Sequence, residues 1–264
     1  MRTLLLNGVY GAPEHFDVLR AALAPDVETT IFPFRRGGLP DPAAATGFAP
    51  MIERLDRALG WYADDGEPVA LIGFSLGGAL ALEYTLAHPG RVARLAMINS
   101  FGRFEQGPMQ AGSMPAIRYW PGAWSDPRLT ARLIHRLPAM RRGLFHPAAS
   151  LAAIERGVRL ATVSMSHDDV TFQIAHLALR APGGWEERLA AVAERIPTLL
   201  AHSRDDLVVP PRHTRWLAAR MPRARVLPPF EGGHAFFQHD AGTLAEAVRA
   251  FLAGEEEERR ESAR

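Results

Sequence analysis

A serine lies between two glycines at the point where an apolar segment gives way to a helical one. The residues read Gly73-Phe74-Ser75-Leu76-Gly77, a G-x-S-x-G pattern. The segment before it, 69–74, has the short apolar character of a buried strand, and residues 76–87 are apolar all round, as in a buried helix. A serine on such a turn projects its hydroxyl at the strand end, where the helix N-terminus favours negative charge. We predict that Ser75 is a nucleophile, the alternative being a glycine-rich turn with an incidental serine.

A serine hydroxyl needs a neighbouring base to attack a carbonyl at neutral pH. Among ten histidines, His234 lies in Glu231-Gly232-Gly233-His234-Ala235, between the last apolar strand segment and the last helical segment. The two glycines allow this loop to reach over the edge of a sheet toward Ser75. We therefore predict that His234 is the base, and a surface or structural role is the alternative for each histidine.

Two adjacent aspartates compete for the third role. The segment Ser203-Arg204-Asp205-Asp206-Leu207 follows an apolar strand segment. Either carboxylate could accept a hydrogen bond from the imidazole, fix its tautomer and stabilise the imidazolium. The other would then be solvated or cap a turn. Periodicity does not separate Asp205 from Asp206.

Short apolar segments alternate with helical ones through most of the chain. This pattern predicts an α/β fold with a mostly parallel central sheet and helices on both faces, which positions these residues. Its site belongs at the carboxyl ends of the strands. We predict strands at residues 3–6, 27–32, 69–74, 92–98, 198–202 and 225–227, and helices at 13–23, 48–62, 76–87, 129–137, 151–163, 213–221 and 242–252.

The middle of the chain interrupts this alternation. We divide the sequence into core residues 1–100, a helical cap or lid at 101–185, core residues 186–254 and a charged tail at 255–264. A connection of this length is typical of a lid. Its Met109, Trp120 and Trp124 are candidates to line an apolar substrate pocket, the alternative being that they form the core of the cap itself.

Composition excludes several classes of protein. The chain has no cysteine, so disulfides, thiolate nucleophiles and cysteine-bound metals are excluded. Thirty Lys and Arg against 29 Asp and Glu leave a net charge of +1, which does not indicate nucleic-acid binding. We find no nucleotide-binding or zinc motif, no apolar run of membrane-spanning length and no signal-peptide core, and expect a cytoplasmic protein without cofactor or metal.

Outside residues 101–185, these motifs resemble the α/β-hydrolase superfamily, in particular small carboxylesterases of the biotin-pathway type and similar hydrolases with helical caps. In those families the acid precedes a proline by four residues, in the pattern D-x-x-V-P. The run Asp206-Leu207-Val208-Val209-Pro210 matches this spacing, so the resemblance implies Asp206 as the acid. Gly233-His234-Ala235 matches the base loop of the family.

The resemblance also implies an oxyanion hole, in which backbone N–H groups hold the negative charge of the intermediate. By position, the donors would be the N–H groups of Val9 and Leu76. The family usually has His-Gly after its first strand, whereas this chain has Asn7-Gly8; Asn7 can still hydrogen-bond to hold the loop. Tyr10 is a second possible donor or a packed loop aromatic. The family commonly has two earlier strands, so we expect a trimmed version of the fold.

We therefore expect a serine hydrolase that cleaves an ester or thioester of an apolar small molecule through an acyl-enzyme. The alternatives are another reaction on this fold, such as C–C hydrolysis, acyl transfer or cyclisation, and a non-catalytic ligand-binding protein. The residues expected to contact substrate are Tyr10, Phe74, Met109, Trp120, Trp124 and Ala235.

Overall fold

A parallel β-sheet organises the chain. The computed structural model describes residues 1–9, 11–32, 48–63, 66–102, 126–164, 185–239 and 241–254. In this part of the chain, six parallel strands lie in the order β2-β1-β3-β4-β5-β6. They are β1 (Thr3–Leu6), β2 (Thr29–Phe32), β3 (Val69–Phe74), β4 (Val92–Ile98), β5 (Thr198–Ala201) and β6 (Arg225–Val226).

Helices connect the strands and follow the last one. In the described part they are α1 (Asp17–Leu23), α2 (Ala49–Tyr62), α3 (Leu76–Ala87), α4 (Pro127–Arg136), α5 (Pro138–Leu144), α6 (Leu151–Ser164), α7 (Trp185–Arg195), α8 (Arg212–Arg220) and α9 (Gly242–Ala253). Short 3₁₀ turns occupy Pro13–Phe16, Pro89–Arg91 and Phe236–Gln238. None of the described helices has the length and apolar character that crossing a membrane requires.

Alternate residues of each strand face opposite sides of the sheet, and helices bury both sides. In β3, Val69 and Leu71 point into one cluster, whereas Ile72 and Phe74 point into the other. The first cluster is closed by α2, α3, α7 and α8, and the second by α1 and α9. The central strands are mostly apolar because both of their faces are buried, as the sequence pattern predicted.

Between β4 and β5, helices α4, α5 and α6 have a hydrophobic cluster of their own. Its buried members are Ala131, Ile134, Ala149, Ile154 and Val158. The described part of residues 101–185 is therefore helical and packs partly on itself. That these helices act as a lid stays a prediction.

The predicted α/β class and parallel sheet are confirmed, with small errors in the elements. The bounds of β1, β3, β4 and α3 are those predicted. Three other strands are shorter than predicted: β2 begins at Thr29 rather than residue 27, β5 ends at Ala201, and β6 ends at Val226. Helix α4 begins at Pro127 rather than residue 129, because the carboxylate of Asp126 caps its first turn, and it ends at Arg136 rather than residue 137. Helices α5 and α7 were not predicted.

Candidate active site

Ser75 lies on a strained turn between β3 and α3. Its backbone φ of 53° and ψ of −119° are rare for a residue with a side chain. Two contacts hold the turn: the Ser75 N–H donates to the Ile98 carbonyl at 3.0 Å, and the Ser100 hydroxyl donates to the Ser75 carbonyl at 2.7 Å. A Cβ on Gly73 would lie 2.4 Å from Gly78 Cα, and one on Gly77 would lie 2.0 Å from the Leu6 carbonyl oxygen. The turn therefore requires both glycines of the G-x-S-x-G motif.

Asp206 and His234 form a buried pair. His234 Nδ1 lies 2.7 Å from Asp206 Oδ2, and the Asp206 side chain is fully buried. The other carboxylate oxygen, Oδ1, accepts the N–H groups of Val208 and Val209 at 2.8 and 2.9 Å. Because an ionised carboxylate only accepts hydrogen bonds, Nδ1 carries a proton and Nε2 of the neutral ring is left as the basic nitrogen. This arrangement suits a general base.

The neighbouring Asp205 does not share this position. Its carboxylate accepts hydrogen bonds from the Ser203 hydroxyl at 2.6 Å and from the N–H of Gly233 at 2.9 Å, and it also accepts the Gly232 N–H. Partial burial is the largest influence on its pKa and raises it, but these hydrogen bonds together outweigh burial, so that the pKa is lowered. Asp205 thus bonds within its own turn, as one alternative expected, and it also holds the loop that leads into His234.

The His234 loop is also held by the end of α5. The His234 N–H donates to the Gly143 carbonyl at 2.9 Å, and the Ala235 N–H donates to the Leu144 carbonyl at 3.1 Å. Gly233 packs so closely that a Cβ there would lie 2.5 Å from the Arg142 carbonyl oxygen. The helical segment after β4 therefore touches the backbone of the candidate base.

The loop after β1 packs against the Ser75 turn. A Cβ on Gly8 would lie 2.9 Å from Ser75 Cβ, so the backbone that leads into Val9 runs beside the serine. The Asn7 side chain is buried and donates from Nδ2 to the Ala12 carbonyl at 2.8 Å. Asn7 thus holds this loop, as expected. Leu76 is the first residue of α3, where amide N–H groups have no acceptor within the helix.

Phe74 and Ala235 adjoin the candidate serine and base, as the sequence indicates. The Phe74 ring is buried against the His234 imidazole, with ring centroids 4.7 Å apart, and against Phe237 at 4.9 Å. Phe74 therefore supports one face of the imidazole. The remaining residues expected to contact substrate, Tyr10, Met109, Trp120 and Trp124, lie outside the described residues.

Sequence reasoning missed two polar residues at this edge of the sheet, Asn99 and Ser100. They follow β4 directly and are buried. A signal was available, because both are polar residues at the carboxyl end of an apolar strand in a parallel sheet.

Comparison with known proteins identifies the family. The family model described as the alpha/beta hydrolase family matches residues 3–247. The chain belongs to this family. It is 27% identical over 249 residues to the pimeloyl-[acyl-carrier protein] methyl ester esterase of Aromatoleum aromaticum, covering 86% of this chain and 94% of that relative.

Two solved structures share the fold of this α/β hydrolase. The esterase EaEST from Exiguobacterium antarcticum superposes with a TM-score of 0.75 at 18% identity, covering 96% of this chain and 92% of that chain. The meta-cleavage product hydrolase from Pseudomonas fluorescens IP01 superposes with a TM-score of 0.69 at 17% identity, covering 97% and 91%. Likeness at this identity extends to the fold alone, and the two names describe different substrates.

Proposed function

We propose that this hydrolase cleaves an ester or thioester of an apolar small molecule through an acyl-enzyme on Ser75. The observation that carries the proposal is the 2.7 Å contact between His234 Nδ1 and the buried Asp206 carboxylate. That contact presents Nε2 as a base, and Phe74, which precedes Ser75 in the chain, packs on the same imidazole. The esterase relative supports an ester as the substrate.

The proposed reaction begins when His234 Nε2 takes the hydroxyl proton of Ser75 while Oγ attacks the substrate carbonyl carbon. The carbonyl π electrons move to oxygen, and the N–H groups of Val9 and Leu76 stabilise that negative charge, aided by the N-terminus of α3. The tetrahedral intermediate collapses, and the leaving oxygen or sulfur receives the proton from His234. Asp206 orients the imidazole and stabilises its cationic form in both transfers.

Deacylation repeats these roles with water as the nucleophile. His234 removes a proton from water, the hydroxide attacks the acyl carbon, and the bond to Ser75 Oγ breaks as the proton returns to that oxygen. The products are the free acid and an alcohol or thiol. We also propose that α4, α5 and α6 belong to a cap over this site, since the end of α5 holds the backbone of His234 and Ala235.

The test uses p-nitrophenyl esters from acetate to palmitate with the wild type, Ser75→Ala and the control Thr30→Ala, whose hydroxyl is exposed on the edge strand β2. We expect the wild type and Thr30→Ala to turn over alike and Ser75→Ala to lose at least about 10³-fold in kcat. The chain-length optimum then reports the size of the acyl pocket.

A fluorophosphonate probe followed by peptide mass spectrometry gives an independent readout. We expect the label on the peptide that contains Ser75. An active Ser75→Ala variant that unfolds like the wild type, or a label on another residue, would contradict the assignment of the nucleophile. Product analysis with a competing alcohol separates hydrolysis from acyl transfer, because transfer yields a new ester in place of the free acid.

A further inference from the structure

Asn99 occupies an unusual place at the carboxyl end of β4. It is the first residue after Ile98, its side chain is buried, and its backbone φ is 43°. Left-handed backbone is uncommon outside glycine and is best tolerated by asparagine and aspartate. This conformation persists where the surrounding contacts determine it.

The side-chain amide of Asn99 joins two loops that are distant in sequence. Nδ2 donates to the His234 carbonyl at 2.8 Å and to the Gly233 carbonyl at 3.2 Å, while Oδ1 accepts the Ser203 N–H at 2.7 Å. Only an amide has two donors and an acceptor in this arrangement. The base loop and the loop that leads to Asp206 are thus fastened to the same side chain.

The main chain around Asn99 reaches the third segment of the site. The Asn99 N–H donates to the Ala201 carbonyl at 2.9 Å. Its two neighbours in the chain, Ile98 and Ser100, make the hydrogen bonds described above that hold the Ser75 turn. One short segment therefore contacts the loops of the proposed nucleophile, acid and base.

We propose that Asn99 is a positioning residue that sets the distance between the His234 imidazole and the Asp206 carboxylate. The expected effect on rate rests on the proposed function, whereas the distance between His234 and Asp206 can be tested without it. Asn99 acts through the backbone of its partners, so it governs alignment of the base rather than substrate binding. Small displacements of aligned groups have large effects on rate.

Two substitutions separate the parts of this role. Asn99→Asp keeps an oxygen to accept the Ser203 N–H but loses both donors and places a carboxylate oxygen against the carbonyls of Gly233 and His234. Asn99→Ala removes all three contacts and leaves their polar groups buried and unpaired. Aspartate tolerates the left-handed conformation, so Asn99→Asp changes the side-chain contacts without adding backbone strain, whereas Asn99→Ala adds some.

The control is Thr198→Val, which removes a buried hydrogen bond at the opposite end of β5. The Thr198 hydroxyl donates to the Ile196 carbonyl at 3.0 Å, and valine has nearly the same shape. Its loss of stability reports what a missing buried hydrogen bond does without disturbing the catalytic loops. All variants are compared by thermal unfolding and assayed below their unfolding transitions.

We expect both Asn99 variants to lower kcat by about 10- to 100-fold with KM changed less than about threefold, and Thr198→Val to leave kcat unchanged. The ¹H NMR signal of the His234 Nδ1 proton, shifted downfield by its hydrogen bond to Asp206, is expected to move upfield or broaden in the Asn99 variants alone. Folded Asn99 variants with wild-type kcat and an unmoved signal would overturn the proposal.

The NMR signal also distinguishes the two proposals. It reports the pairing of His234 with Asp206 whether or not an ester is cleaved. If the wild type fails to hydrolyse esters and to react with the fluorophosphonate, the proposed function fails. An upfield shift in the Asn99 variants would then still support the positioning role, and an unmoved signal would refute it.

Discussion

A methyl group added at Gly143 is expected to disturb the proposed base from outside the sheet. Gly143 lies within α5, and its backbone is helical, so alanine causes no backbone strain there. The new Cβ would however lie 2.5 Å from both Cγ and Cδ1 of Leu207 and 2.7 Å from its Cβ. Carbon atoms in contact are normally about 3.5–4.0 Å apart. The two segments must therefore separate by about 1 Å.

This separation cannot be absorbed at the tip of a flexible side chain, because Cβ and Cγ of Leu207 lie close to its main chain. Leu207 follows Asp206, and the Gly143 carbonyl accepts the His234 N–H. Movement on either side therefore changes the distance between the acid and the base. A misplacement of about 1 Å costs on the order of 10²-fold in rate, so we expect Gly143→Ala to lower kcat/KM by about that factor.

The assay is kcat/KM on the preferred p-nitrophenyl ester for Gly143→Ala, Leu207→Ala and the double variant. Leu207→Ala removes two of the three close atoms but leaves Cβ at 2.7 Å, so the double variant is expected to regain part of the lost activity. The coupling energy of the cycle measures the contact. Gly60→Ala in α2 is the control, because a Cβ there meets nothing within 4 Å. Full activity in Gly143→Ala, or a double variant no faster than the less active single variant, would refute this reasoning.

Two other predictions concern the adjacent aspartates and the buried His15. Asp206→Asn is expected to lower kcat by about 10⁴-fold, because an amide can donate to Nδ1 and so leave the proton on Nε2, and because the imidazolium loses its counter-charge. Asp205→Asn retains an oxygen that accepts the N–H groups of Gly232 and Gly233 and is expected to cost less than about tenfold. Equal losses would contradict the assignment of the acid. His15, whose Nδ1 accepts the Ala12 N–H at 3.1 Å, has its pKa lowered mainly by burial, so the unfolded chain binds its proton first as pH falls. As the pH is lowered beyond about 6.5, the free energy of unfolding measured in urea is expected to decrease, and His15 contributes at most about 1.4 kcal/mol per pH unit to this decrease. The decrease is expected to be smaller in His15→Asn. The same pH dependence in both proteins would contradict the prediction.

The sequence predicted the central strands well because their burial leaves a mark in composition. Apart from Thr3 and Arg94, strands β1, β3 and β4 consist of apolar residues and glycine, so their ends coincide with the ends of apolar runs. Helix α5 left no such mark. It has seven residues, begins at a proline that one residue separates from the end of α4, and contacts the His234 loop through its backbone carbonyls. Helix α7 begins beside a part of the chain rich in glycine and proline, which obscured its start.

The pattern of residues alone could not decide which of the two aspartates pairs with His234. Asp205 and Asp206 occupy one turn and have the same chemistry, so periodicity gave no reason to prefer either. The distinction lies in which N–H groups each carboxylate meets: Val208 and Val209 bind one oxygen of Asp206 and leave the other for His234. Only the resemblance to a known family carried this information in the sequence.

The hydrogen bonds that hold the His234 loop could not be predicted from the sequence either. Its loop is fastened by the carbonyls of Gly143 and Leu144, and its own carbonyl is held by the amide of Asn99. A backbone hydrogen bond specifies no residue type, so the sequence records such contacts only through the residues that permit close approach, such as Gly143. Because α5 is hydrogen-bonded to the His234 loop and packs with α4 and α6, movement of these helices is expected to move the proposed base. Substitutions that shift the α4–α6 cluster, including those at buried Ile134 or Ile154, are therefore expected to act on kcat as well as on the free energy of unfolding.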